Sequence, residues 1–143
     1  MRSPELGHAL DLAQVALTAD SAPDDLRKAI YFLSRYNGQY KGLVAEIRAK
    51  LVVGQIPIVA QVRKSTNTED WEEKIDFWVH FQQGIHATVP IQVKSSDRLL
   101  KKFRYWAVRN GRSIIGLNCA LEIPETQIVA NFYQELHNLD IRP

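Results

Sequence analysis

Apolar positions along the first third of the chain recur at helical spacing. Leu6, Leu10, Ala13 and Leu17 form one stripe and predict a helix over 4–17. The polar segment TADSAPDD breaks it, and Ser21 or Asp24 is placed to cap a second helix whose stripe is Leu26, Ile30 and Leu33. Asn37-Gly38 is a stop signal for that helix. A third helix is expected from Tyr40 to about Val53, burying Leu43, Val44, Ile47 and Leu51, with Gly54 at its end and Glu46 and Arg48 beside the apolar face. Pro57 restricts 55–63 to an edge strand, and STNTEDWEEK reads as a turn followed by a short helical piece.

From residue 75 the period changes from helical to two. Ile75, Phe77, Val79 and Phe81 alternate with Asp76, Trp78 and His80, and Val89, Ile91 and Val93 alternate with Pro90, Gln92 and Lys94. A basic helix is expected from about 97, a further strand over 113–120, and a last helix over 124–139 that buries Ile128, Val129, Phe132, Leu136 and Leu139. No repeat or interdomain linker interrupts this order, so 1–143 reads as a single α/β domain: a small sheet flanked by helices.

Suppose the two alternating runs make an antiparallel hairpin centred on Gly84. Asp76 then pairs with Gln92 and Trp78 with Pro90, and Lys94 shares a face with Gln92. A slip of one residue would send the apolar set to the wrong side, so a hairpin centred on Gly84 agrees with the pattern. Taken singly, Asp76 reads as a solvated carboxylate near a turn and Lys94 as a strand lysine reaching water. Together they put a carboxylate, an amide oxygen and an ammonium within cross-strand reach. A carboxylate and neutral oxygens, including the Val93 carbonyl, suit a hard cation such as Mg2+, with Mn2+ as the substitute. Lys94 could position an attacking water and stabilise charge developing on a phosphate. Phosphodiester hydrolysis needs these parts.

Charge sharpens the picture. The net charge is only +2, but residues 94–112 hold seven Lys or Arg against one Asp, whereas 120–143 are net negative. The basic segment is interleaved with Phe103, Tyr105 and Trp106, a composition suited to nucleic acid. Cys119 is the single cysteine, which excludes an internal disulfide and fits a reducing, cytoplasmic setting, close to the nucleoid in a bacterium. No apolar run approaches the roughly 18 residues of a membrane span, so no membrane role is expected. The start, broken by Pro4, Glu5, His8 and Asp11, does not read as a signal peptide. His8, His80 and His86 read as polar surface or local hydrogen-bonding residues, Cys119 as core, and no His/Cys spacing suggests zinc.

The pattern Asp76 … Gln92-Val93-Lys94 resembles the active-site signature of the PD-(D/E)xK nuclease superfamily, in its Q-x-K form. PIQVKSS is similar to the second strand of such members and DFWV to the first. The resemblance covers about 40–120, with 1–36 as a helical N-terminal addition. It implies a restriction-endonuclease-like core: a helix, an antiparallel meander, a crossing helix and a fourth strand parallel to the first. It also implies a metal-dependent DNA endonuclease. Asp76, Gln92, the Val93 carbonyl and Glu46 would hold Mg2+, with Glu72 and Glu73 as rivals to Glu46, and Lys94 would be the catalytic lysine. Gln92 is the departure, since most members carry Asp or Glu there, and it removes one negative charge.

Double-stranded or branched DNA would lie along the basic segment. Arg98, Lys101, Lys102 and Arg104 would make phosphate contacts, and Ser95 and Ser96 would either cap the basic helix or bind phosphate. Cutting both strands calls for two active sites, hence a homodimer or higher oligomer. The competing expectations are a non-catalytic DNA-binding accessory protein on the same fold, and an interaction protein whose polar hairpin face is merely solvated.

Overall fold

The computed structural model describes residues 3–82 and 88–140, without the Trp71 side chain; the expected turn at Gly84, His86 and the last three residues of the net-negative segment lie outside the described residues. Three helices come first: α1 (Pro4–Thr18), α2 (Pro23–Ser34) and α3 (Asn37–Gly54). Ser3 caps α1 by accepting the Leu6 N–H at 3.1 Å. Neither Ser21 nor Asp24 caps α2. Ala22 holds the N-cap without a side-chain bond, while Pro23 fills the first turn and Asp24 and Asp25 face the helix dipole. Proline at the first helical position supplies the helical φ and leaves no N–H of its own unpaired there. Asn37-Gly38 follows the end of α2 but opens α3, which kinks at Tyr40 (φ −122°, ψ 34°) before its regular part.

That regular part is central to the molecule. Residues 44–53 are buried throughout except for the half-buried Glu46, as expected of a helix surrounded on all sides. Arg48 and Lys50 are therefore buried, and Arg48 does not lie beside the apolar face as expected. Each cation is accommodated by carbonyl oxygens. Arg48 donates to the carbonyls of Cys119, Ala120 and Ile123. Lys50 Nζ donates to Ala16, Leu17 and Ala19, satisfying the C-terminal end of α1.

The remaining elements are β1 (Val59–Lys64), α4 (Asn67–Glu73), β2 (Phe77–Phe81), β3 (Thr88–Lys94), α5 (Asp97–Arg109), β4 (Ile115–Asn118) and α6 (Glu125–Asn138). The strands form one sheet in the order β1-β2-β3-β4, antiparallel except for the parallel β3/β4 pair. β1, preceded by Pro57, is an edge strand. β2 pairs with β3 through Phe77–Ile91, Trp78–Pro90, Val79–Val89 and His80–Thr88, the register expected of a hairpin centred on Gly84. The molecule is thus a small α/β fold with a mixed four-stranded sheet flanked by helices.

Alternation assigns the two faces of the sheet. Phe77, Val79, Ile91, Val93, Ile115 and Leu117 join the main core with α1, α2, α3 and α6. Leu100, Phe103 and Ala107 of α5 form a separate cluster on the other face. Gly116 lies between Ile115 and Leu117 and therefore faces α5. A Cβ there would stand 2.7 Å from Leu100 Cδ1 and 3.2 Å from Phe103 Cδ2, so the bare glycine lets α5 approach the sheet. Gln92 pairs with Gly116 and lies on the same face. No helix among the described residues is long and apolar enough to cross a membrane.

Candidate active site

Asp76 sits in the bend just ahead of β2. Its main-chain N–H donates to the Ile91 carbonyl at 2.8 Å, and its Oδ2 accepts the Val93 N–H at 2.7 Å. The carboxylate therefore takes the place of a strand partner at the end of the ladder. Its position opposite Gln92 follows from the register, but its side chain turns into the line of backbone hydrogen bonds. Since N–H and C=O of one strand residue point to the same side, the Val93 carbonyl lies on the side of β3 that faces Asp76.

Glu46 reaches the site from α3 and Lys64 from the end of β1. Lys64 Nζ lies 3.3 Å from Glu46 Oε1 and 3.5 Å from the Asp76 carbonyl, and 5.3 Å from the centre of the Phe77 ring. Ser65 donates its N–H to the same Asp76 carbonyl, and its hydroxyl is shielded from solvent with no hydrogen-bond partner. Asp76 is 5% exposed. Burial, first, then the negative charge of Glu46 and a hydrogen bond shared with Asp70 push its carboxyl up to about 8, against the opposing pull of the Val93 N–H and Lys64. At neutral pH Asp76 therefore keeps its proton unless a cation joins the site.

Gln92, 7% exposed, lies between Lys74 and Lys94. In the amide orientation that satisfies both ends, its oxygen accepts from Lys94 Nζ at 3.1 Å and its nitrogen donates to the Lys74 carbonyl. Lys74 closes α4 in the left-handed conformation (φ 59°, ψ 42°), a position usually given to glycine. The helix that it ends begins with a capping box between Thr66 and Glu69, and Glu69 also accepts the Trp78 indole N–H at 2.7 Å. Trp78 is thereby tied to α4.

The basic segment divides into separate tasks. Ser96 caps α5 by accepting the Leu99 N–H at 3.2 Å. Ser95 instead borders a small cavity with Asn37, Lys41 and Glu122. Arg98, Lys101 and Lys102 are exposed on α5, whereas Arg104 pairs with Glu135 of α6 at 3.0 Å. Asn118 links Asp97 to the Ala120 N–H and so fixes the start of α5 against the end of β4. A cleft of about 720 Å³ lies between α5 and α6, and Asp76, Gln92 and Lys94 do not border it. Cys119 is buried beside Arg48, and desolvation raises its thiol to about 12, leaving it an inert core residue.

The structure thus brings Asp76, Glu46 and Val93 together and sets Gln92 with Lys94 one residue away on β3. Glu72 is exposed and Glu73 half-buried, and neither contributes to the charge acting on Asp76. Lys64, Asp70 and Lys74 were not anticipated. The signal for Lys64 is its pairing with Phe77 across β1 and β2; that for Asp70 and Lys74 is the capping box that starts α4. No three His, Cys, Asp or Glu side chains among the described residues are grouped so as to hold a metal. No protein-family model, curated protein or solved structure matches the chain.

Proposed function

We propose that the protein is a divalent-metal-dependent DNA endonuclease with its active site at the β2/β3 junction. One observation carries this reading: the register and the Asp76–Val93 bond bring a buried carboxylate against the Gln92-Val93-Lys94 segment, with Glu46 behind it. The order α3, β1, β2, β3, α5, β4, with β4 running in the same sense as β1, supports the expected restriction-endonuclease-like core. The inserted α4 and the added α1 and α2 do not disturb it.

Asp76, Glu46 and the Val93 carbonyl are the residues that would hold Mg2+ or Mn2+, and the Gln92 oxygen would join them only by giving up its bond from Lys94. The fit rests on donor chemistry: hard oxygens, a carboxyl held protonated by its surroundings, and an unpartnered Ser65 hydroxyl nearby. A bound cation would polarise the phosphate and lower the pKa of a coordinated water. Lys64, now paired with Glu46, would release that carboxylate. Lys94, held by Gln92, would place its ammonium against charge developing on the phosphate. Arg98, Lys101 and Lys102 would hold the DNA backbone without reading sequence. Cleavage of both strands would use a second copy of the chain.

The alternative, a DNA-binding accessory protein without catalysis, is favoured by Gln92 in place of an acid and by the lack of a three-acid group among the described residues. Incubation with linear, supercoiled and junction DNA in Mg2+ or Mn2+ separates the two. Cleavage lost in Asp76→Ala and Lys94→Ala supports the enzyme. Salt-sensitive binding without cleavage supports the accessory protein, and no binding at low salt removes both.

A further inference from the structure

On the α5 face of the sheet, next to Lys94, lies a cavity of about 300 Å³. That volume is at the lower end of the range of roughly 300–1,000 Å³ found for small-molecule sites. Its six described lining residues come from three elements: Lys74 after α4, Lys94 at the end of β3, and Leu99, Lys102, Phe103 and Trp106 from one side of α5. Three of the six are lysines and none is acidic. Trp106 is half-buried and stacks on the buried Phe103, with ring centres 6.0 Å apart and planes 28° from parallel. The cavity therefore offers an aromatic wall and a rim of ammonium groups.

This is the chemistry of a nucleotide, which presents a flat π surface at one end and a phosphate at the other. An inorganic anion would make no use of Trp106, Phe103 or Leu99. An apolar ligand would make no use of the three ammonium groups. The backbone adds a second observation: Lys74 occupies the left-handed position that glycine would occupy without strain. A charged side chain is thus kept at the rim where a plain helix cap would not need one.

We propose that this cavity is a nucleotide subsite, taking one unpaired base against Trp106 and its phosphate among Lys74, Lys94 and Lys102. The inference rests on the nuclease reading and names its substrate class. A base inside a paired duplex cannot reach such a wall without being unstacked, which costs least where it is already unpaired. The substrate is then DNA with a free nucleotide beside the cleaved bond: a single strand, a flap or a branch.

Binding without cleavage tests this separately. A short single strand carrying 2-aminopurine is titrated with protein in EDTA at low salt, alongside a blunt duplex of the same sequence. Wild type binds the single strand more tightly and quenches its fluorescence. Trp106→Ala abolishes the quench and weakens single-strand binding by about tenfold, and Lys74→Gly weakens it several-fold. The glycine variant unfolds at the same temperature as wild type or higher, because the left-handed position is relieved, so its loss of binding cannot come from misfolding. Asp76→Asn keeps the quench. Equal single-strand affinity in wild type, Trp106→Ala and Lys74→Gly overturns the subsite, as does a wild-type preference for the blunt duplex. Cleavage that survives those results leaves the nuclease reading standing. A quench retained by a protein that cleaves nothing removes the nuclease reading and keeps the subsite.

Discussion

Replacing Asp76 by asparagine should make the protein more stable at neutral pH while removing its proposed activity. In the folded chain the Asp76 carboxyl keeps its proton up to about pH 8, against an ordinary value of 3.8, through burial first and Glu46 second. The unfolded chain releases that proton near its ordinary value. Between the two values the folded state binds more protons, so stability is complete below the lower one and falls as pH rises toward the higher. At 1.36 kcal/mol per pH unit, the loss between pH 5 and pH 7.5 is about 3 kcal/mol. That is a large part of the roughly 5–15 kcal/mol that holds a domain of this size. Asparagine keeps the shape, and its Oδ1 can accept the Val93 N–H, but it has no proton to lose.

Urea unfolding of both proteins at pH 5, 6, 7 and 7.5 measures the difference. Wild type should lose about 3 kcal/mol across the series while Asp76→Asn stays nearly level. Glu69 and Glu125, held below their ordinary value by the Thr66 N–H and by Arg27 respectively, have the opposite sign. Their stability is present above the ordinary value of 4.5 and is lost as pH falls through their lowered values, below the chosen window. Wild-type stability that is constant or rises from pH 5 to 7.5 would refute the reasoning. So would an equal slope in the variant.

Gly116→Ala should cost about 1–3 kcal/mol in the same unfolding assay, because the new methyl meets Leu100 and Phe103 where α5 approaches β4. Ser96→Ala should cost about 1 kcal/mol through loss of the α5 cap. Its DNA affinity should stay near wild type if Ser96 serves the helix, and a drop of tenfold or more would assign it to phosphate instead. Arg98→Ala and Lys101→Ala should each lower the slope of log affinity against log salt by about 1, measured by fluorescence anisotropy on a duplex. Arg104→Ala should change that slope less, because its guanidinium is paired with Glu135.

The hairpin was legible in the sequence because alternation puts Phe77, Val79, Val89 and Ile91 on one face and the turn expected at Gly84 sets the pairing. The edge position of β1 was legible from Pro57 and the strand after the basic helix from its apolar run, whereas its parallel pairing with β3 was not read from the residues. The α2 cap was not, because Ser21 and Asp24 flank a proline that fills the first turn by itself. The burial of Arg48 and Lys50 was hidden for a different reason. Their partners are carbonyls at the ends of other elements, which no side-chain pattern encodes. The candidate site was legible in part. Asp76, Gln92 and Lys94 stand on the alternating runs, whereas Lys64 and Asp70 reach Asp76 only after β1 and α4 have folded back along β2. The turning of the Asp76 carboxylate into the ladder likewise depends on the bend before β2.

In the proposed nuclease, Asp76, freed of its proton beside Glu46, supports metal-dependent cleavage of DNA. The rate at which supercoiled and flapped DNA is cut in Mg2+ at pH 6 and 8.5, by wild type and Asp76→Asn, tests it most directly. Wild-type cleavage should be faster at pH 8.5, absent in EDTA, and absent at both pH values in an Asp76→Asn protein that is more stable than wild type at pH 7.5. Cleavage by Asp76→Asn at the wild-type rate, or no cleavage of either DNA by wild type in Mg2+ or Mn2+, would contradict it.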